Sequence, residues 1–190
     1  MYRWISITKL DLDDCLFYKR KSGGVQHFRN FVNRAVLLTK GSSVESFYLA
    51  MANKCDISLL NTWISCVLIP QKIKNLRIRS RFELAFSALA SQSLFNSILL
   101  EELELFCCDI EVPIKDVYFK NLKLVRLCRI GFTNCSSSGY LSLTLPVLET
   151  FVTRNCDWLG AKGVIVKAPL LENIHMVQDR NPEFHEPCSC

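Results

Sequence analysis
The sequence predicts an α/β solenoid, a curved parallel sheet of about seven repeat strands with helices and loops on its convex side. Three observations predict it. An apolar phrase recurs seven times, the intervals between its copies are nearly regular, and segments of helical periodicity separate the early copies. The phrase is an apolar residue, two others, a second apolar residue, one other and a third anchor. It reads Ile7-Leu10-Leu12, Val44-Phe47-Leu49, Ile73-Leu76-Ile78, Leu100-Leu103-Leu105, Leu122-Val125-Leu127, Leu148-Phe151-Thr153 and Leu171-Ile174-Met176. Its middle anchors are spaced 37, 29, 27, 22, 26 and 23 residues apart.

Most of these intervals lie within or just above the ~20–29-residue period of leucine-rich repeats. Physics explains the phrase. Alternate residues of a strand share a face, so the second and third anchors point into the stack together, while the first enters from the preceding turn. One unit cannot bury that face alone, and stacked neighbours bury a continuous ridge. Each buried anchor contributes roughly 1.5–3 kcal/mol before entropy is subtracted. The competing reading is seven unrelated amphipathic strands in a compact α+β domain, and seven ordered copies count against it.

In chain order, residues 4–14 are the first strand, ended by the acidic run Asp11 to Asp14, and the polar residues 19–24 are a loop. Phe28, Phe31, Val32, Ala35 and Leu38 recur at three- and four-residue steps, which predicts a helix over 27–38. Gly41 closes it, and 44–50 is the second strand. Asp56 caps a second helix with Ile57, Leu60, Ile64, Val67 and Leu68 on one face, stopped by Pro70. Residues 73–79 and 100–106 are the third and fourth strands, with part helix and part loop over 82–99. Beyond them Pro113, residues 136–139, Pro146, Gly160, Gly163 and Pro169 predict short, loop-like arms. The array occupies 1–178, with 179–190 as a tail.

Composition narrows the classes. The 49% apolar fraction and 12 Phe exclude a disordered chain. The net charge of +5 runs from a basic first half to an acidic second half without a dense patch, and Lys19-Arg20-Lys21 reads as a solvated turn. The first residues lack a signal-peptide core, and no apolar run reaches the ~18 residues of a membrane span. Ten cysteines, among them Cys15, Cys66, Cys107, Cys128 and Cys156 in or beside the phrases, read as buried thiols of a cytoplasmic or nuclear protein. The sequon Asn134-Cys135-Ser136 is then incidental.

Several segments resemble plant F-box/leucine-rich-repeat proteins of the FBD-containing type. Arg3-Trp4 with Leu10 to Asp14 looks like the junction that follows the F-box. Residues 28–38 resemble the family's first helix. Val44 to Phe47 and Trp63 to Val67 resemble its next strand and helix. Leu145-Pro146-Val147-Leu148-Glu149 with Cys156, and Ala168-Pro169-Leu170-Leu171-Glu172, are similar to two later segments, although Leu145 stands where a cysteine is more usual. The resemblance covers residues 3–177. It implies the substrate-recognition part of a ubiquitin-ligase adaptor. The F-box that docks on Skp1 would precede Arg3, and the FBD region would follow Met176. Neither is within the 190 residues, so the resemblance does not extend to Skp1 binding.

No catalytic motif is present: neither a phosphate loop, a dinucleotide-binding glycine pattern nor a nucleophile elbow. No cofactor is implied. His27, His175 and His185 are dispersed, and Cys188-Ser-Cys190 lacks the usual zinc spacing. Cys107-Cys108 reads as strand-end packing. The candidate site is therefore a surface, the outward face of the sheet: Asp11, Tyr48, Arg77, Arg79, Glu104, Phe106, Arg126, Arg154 and His175. Arg77, Glu104 and Arg126 are placed to form a cross-strand charge ladder there, read either as exposed pairs that merely suit the sheet or as a partner-binding strip with Tyr48, Phe106 and the arginines as anchors. The expected function is a non-catalytic protein-interaction module that binds a protein substrate and no membrane. The alternatives are a thiol enzyme or hydrolase in an α+β fold, and weak nucleic-acid binding through Lys72, Lys74, Arg77, Arg79 and Arg81.

Overall fold
The computed structural model describes residues 7–15, 24–38, 44–69, 72–111, 117–133, 140–158 and 163–179. In chain order these form β1 (Lys9–Asp13), α1 (Gly24–Leu38), β2 (Ser46–Met51), α2 (Ile57–Leu68), β3 (Asn75–Ala85), α3 (Ala88–Phe95) and β4 (Glu102–Glu111). They continue as β5 (Val117–Tyr118), β6 (Leu124–Thr133), β7 (Tyr140–Thr144), β8 (Thr150–Arg154), β9 (Gly163–Lys167) and β10 (Asn173–Val177). Seven strands pair in parallel in the order β1-β2-β3-β4-β6-β8-β10, and three more as β5-β7-β9. This α/β arrangement, an all-parallel seven-stranded sheet with three helices among the described residues, is consistent with leucine-rich-repeat-like stacking.

The apolar phrase sets the register. Leu10, Phe47, Leu76, Leu103, Val125, Phe151 and Ile174 lie in one row across the sheet, and Leu12, Leu49, Ile78, Leu105, Leu127, Thr153 and Met176 in the next. Leu100, Leu103 and Leu105 are all buried, as the spacing predicts. The rows join one core with Phe28, Val32 and Val36 of α1 and Leu60, Trp63 and Ile64 of α2. The helices therefore cover one face of the sheet. On the last strand the same anchors are open, with Ile174 62% and Met176 60% exposed.

A second row, not anticipated, runs along the strand entrances. The carbonyl of Thr8 accepts from the backbone N–H groups of both Glu45 and Ser46. That double acceptance repeats from Glu45 to Lys74 and Asn75, from Lys74 to Glu101 and Glu102, and on through Lys123 and Glu149 to Glu172 and Asn173. Each of these residues directly follows a first anchor, so the stacking places Glu45, Lys74, Glu101, Lys123, Glu149 and Glu172 side by side. Lys74 pairs with Glu45 and Lys123 with Glu101, both at 3.0 Å.

The helices follow their sequence signals, with adjustments. Asp56 is the N-cap of α2, its carboxylate accepting from the N–H groups of Ser58 and Leu59. Ile57, expected on the buried face, is 49% exposed at the first position of the helix, while Trp63 is buried and donates its indole N–H to Asn33 of α1 at 2.6 Å. On α1 the buried line is Phe28, Val32 and Val36, and Phe31 is 46% exposed. Phe28 and Val32 belong to both lines, and the buried face turns toward Val36 and away from Phe31. The Leu38 side chain lies outside the described set. Residues 82–99 hold more order than expected, since β3 runs on to Ala85 before α3 begins.

The largest correction concerns the late arms. They are not mostly loop: β5, β7 and β9 form the second parallel sheet. Leu145-Pro146-Val147-Leu148 and Ala168-Pro169-Leu170-Leu171 each close a turn, with Leu148 N–H donating to Leu145 O and Leu171 N–H to Ala168 O, both at 3.2 Å. Proline at the second position presets the φ that such a turn needs. Midway along β4 and β6 and just past the end of β8, Cys107, Arg129 and Asn155 take positive φ of 57°, 53° and 50°. One residue later, the thiols of Cys108 and Cys156 donate to backbone carbonyls of Phe106 (3.4 Å) and Leu127 (3.5 Å). These two cysteines occupy the position at which the leucine-rich-repeat consensus carries Asn or Cys; both are buried, as expected of thiols beside the phrases, and Cys107-Cys108, expected as strand-end packing, lies within β4. Arg3-Trp4, Lys19-Arg20-Lys21, Pro113, residues 134–139, Gly160 and residues 180–190 lie outside the described residues. Asp179, assigned to the tail, exchanges two hydrogen bonds with Asn155.

Candidate functional site
Strand alternation sends the residue between the second and third anchors to the face away from the helices. The pairing brings Asp11, Tyr48, Arg77, Glu104, Arg126, Val152 and His175 into one row there. Two residues along, Asp13, Ala50, Arg79, Phe106, Cys128, Arg154 and Val177 form the next.

Six of the nine residues expected from sequence make one cluster. The Glu104 Oε1 atom lies 2.7 Å from both Arg77 Nη2 and Arg126 Nη1, accepting a hydrogen bond from each. Arg79 Nη2 stands 3.9 Å from the other carboxylate oxygen. The Arg77 guanidinium is 5.7 Å from the Tyr48 ring centroid, and that of Arg79 is 4.6 Å from Phe106, both within cation–π reach. Burial raises the Tyr48 hydroxyl pKa above its ordinary value, with Arg79 acting in the opposite sense. The other three residues are peripheral. Asp11 pairs with Lys9 at 3.4 Å on its own strand, Arg154 is exposed two strands from Phe106, and His175 is exposed on the edge strand.

The ladder exists, but its centre is buried rather than exposed on the outward face. The Glu104 side chain is only 4% exposed, whereas those of Arg77 and Arg126 are 44% and 43% exposed. Flanking Leu103 and Leu105 are buried too, so this stretch of β4 is covered on both faces. A buried carboxylate needs its partners more than an exposed one does, because losing them leaves an uncompensated charge. Three guanidiniums around one carboxylate leave two surplus positive charges on the open side.

Other chemistry is less well supplied. The donor atoms of Asp13, Asp14 and Cys15 lie within 4.8 Å of one another. The Asp14 carboxylate is already occupied by the N–H groups of Ala52 and Asn53, and Asp13 by that of Cys15. These acids close a turn. Burial pushes the thiols of Cys55, Cys108 and Cys156 up, the opposite of what an activated nucleophile requires. Of the five basic residues considered for nucleic acid, Arg77 and Arg79 share a face as expected, but both engage Glu104, and Lys74 is paired with Glu45. No helix among the described residues is long and apolar enough to cross a membrane.

No protein-family model matches the chain, and no solved structure does. Curated plant proteins do match. An F-box/FBD/LRR-repeat protein of Arabidopsis thaliana is 33% identical over 189 residues, covering 97% of this chain and 40% of that protein. Two proteins of the same plant whose names describe FBD-associated F-box proteins are 26% and 24% identical, covering 95% and 96% of this chain and 41% and 42% of their own lengths. The chain thus spans about 40% of the relatives it matches, and it is homologous to that region of plant F-box/FBD/LRR-repeat proteins.

Proposed function
We propose that this chain is a non-catalytic protein-interaction module, an irregular leucine-rich-repeat solenoid acting as the substrate-recognition part of an SCF-type ubiquitin-ligase adaptor. The supporting observation is the open strip built on Tyr48, Arg77, Arg79, Glu104, Phe106 and Arg126. Aromatic and arginine side chains dominate the energetics of protein interfaces, and here they are gathered on the face that none of the described helices covers. Arg154 and His175 extend the strip toward one edge and Asp11 toward the other. Residues 1–178 form the array in this reading.

Pull-down from plant extract tests it. The wild-type chain should capture a set of proteins that the Arg77→Glu/Arg126→Glu variant loses and that Arg34→Glu, a change on the exposed side of α1, retains. Circular dichroism melting would establish that all three are folded. Identical recovery by all three overturns the reading.

A further inference from the structure
We propose that the strip takes an acidic peptide segment, whose side-chain carboxylates add to the outer edges of Arg77, Arg79 and Arg126. This rests on the reading of the strip as a docking face and names the chemistry of what docks. Each guanidinium offers five N–H donors. Arg77 and Arg126 each direct one at Glu104, and the Arg79 Nη2 stands 3.9 Å from it, beyond hydrogen-bond distance. The carboxylate they share is buried beneath them, so an approaching group meets the cations first.

The cations are also held in place. Glu104 fixes Arg77 and Arg126, and the Tyr48 and Phe106 rings back Arg77 and Arg79. Guanidiniums held this way lose little freedom when a carboxylate arrives. Arg77 and Arg126 lie two strands apart, about 10 Å, a distance that three or four extended residues cover. The positive field is short. Glu102 stands in the neighbouring row of β4, and Asp11 and Asp13 lie on β1. A continuous phosphate backbone would run into those acids, whereas a short acidic segment ends before them.

The test is fluorescence anisotropy on the full chain, with a labelled peptide of alternating Glu and Ser and a control carrying Gln for Glu. The Glu peptide should bind at least about tenfold more tightly at low salt, and added salt should erase the difference. Arg77→Gln and Arg126→Gln should each weaken binding about tenfold, with the lysine variants intermediate because they keep the charge and lose the planar fork. Glu104→Gln should tighten it. Equal binding of the two peptides, or indifference to both glutamine variants in folded protein, overturns the proposal. So does a single-stranded oligonucleotide of equal charge that binds as well as the Glu peptide. If Arg77→Glu/Arg126→Glu loses its captured proteins but no Glu peptide binds, the acidic chemistry is wrong and the docking face stands. If the Glu peptide binds while capture is unchanged, the chemistry is upheld and the adaptor reading falls.

Discussion
Glu104 is a buried carboxylate with two short partners and one long one, and this redundancy has a measurable signature. Removing Arg77 leaves Arg126 at 2.7 Å, and the reverse holds as well. Both arginines are partly solvated, so each single alanine substitution should cost under about 1 kcal/mol. The double substitution strands the carboxylate with Arg79 alone. It should exceed the sum of the singles by about 1 kcal/mol in a urea-denaturation cycle. Asp109 behaves in the opposite way. Burial, then Glu83 and Asp157, hold its carboxyl pKa above the usual range, against the opposing hydrogen bond from Gly131 N–H. The folded chain therefore binds this proton more readily than the unfolded chain. Its contribution to stability is present at low pH and fades as pH rises from the ordinary carboxylate value through the raised one. Asp109→Asn keeps an acceptor for Gly131 and removes the charge, so it should melt higher than wild type at neutral pH and lose that slope. Melting temperatures followed from about pH 3 to pH 8 would show it.

At the scale of elements, position within the stack decides what an apolar anchor is worth. Leu103 and Ile174 share a register row, yet one is buried and the other open. Leu103→Ala should cost about 2–5 kcal/mol, and Ile174→Ser no more than about 0.5 kcal/mol, by chemical denaturation. The strand-entrance row alternates Glu45, Lys74, Glu101 and Lys123, then sets Glu149 beside Glu172. Glu172→Lys would restore the alternation and should add about 0.3–1 kcal/mol, an increment that high salt removes. The alternation of the apolar phrase made the strands, their register and the outward row legible, because a two-residue period fixes facing directly. The strand-entrance row was legible too, as a charged residue after six of the seven first anchors, but it lies outside the apolar pattern. The second sheet was not. Its strands are short, β5 only two residues, and they are held by pairing with neighbouring arms rather than by a period of their own. The burial of Glu104 also escaped, since it depends on long side chains from two neighbouring strands folding over it.

Across the whole molecule, the main sheet takes up its strands in chain order, β1 to β10, with no strand inserted between earlier ones. Neighbours in space are therefore neighbours in sequence, separated by one arm, and loop-closure entropy is spent in small instalments. Contact order is correspondingly low for a β-containing protein, which favours fast folding outward from any well-formed pair of strands. The same linearity lets an edge strand open before the sheet unfolds as a whole. Opening should begin as fraying at the β10 edge, where Ile174 and Met176 lack cover, and proceed inward one strand at a time. Native-state hydrogen exchange should accordingly show a graded profile, slowest for the amides of β4 and fastest for those of β10. Uniform protection across the seven strands would mean that the sheet opens as one cooperative unit instead.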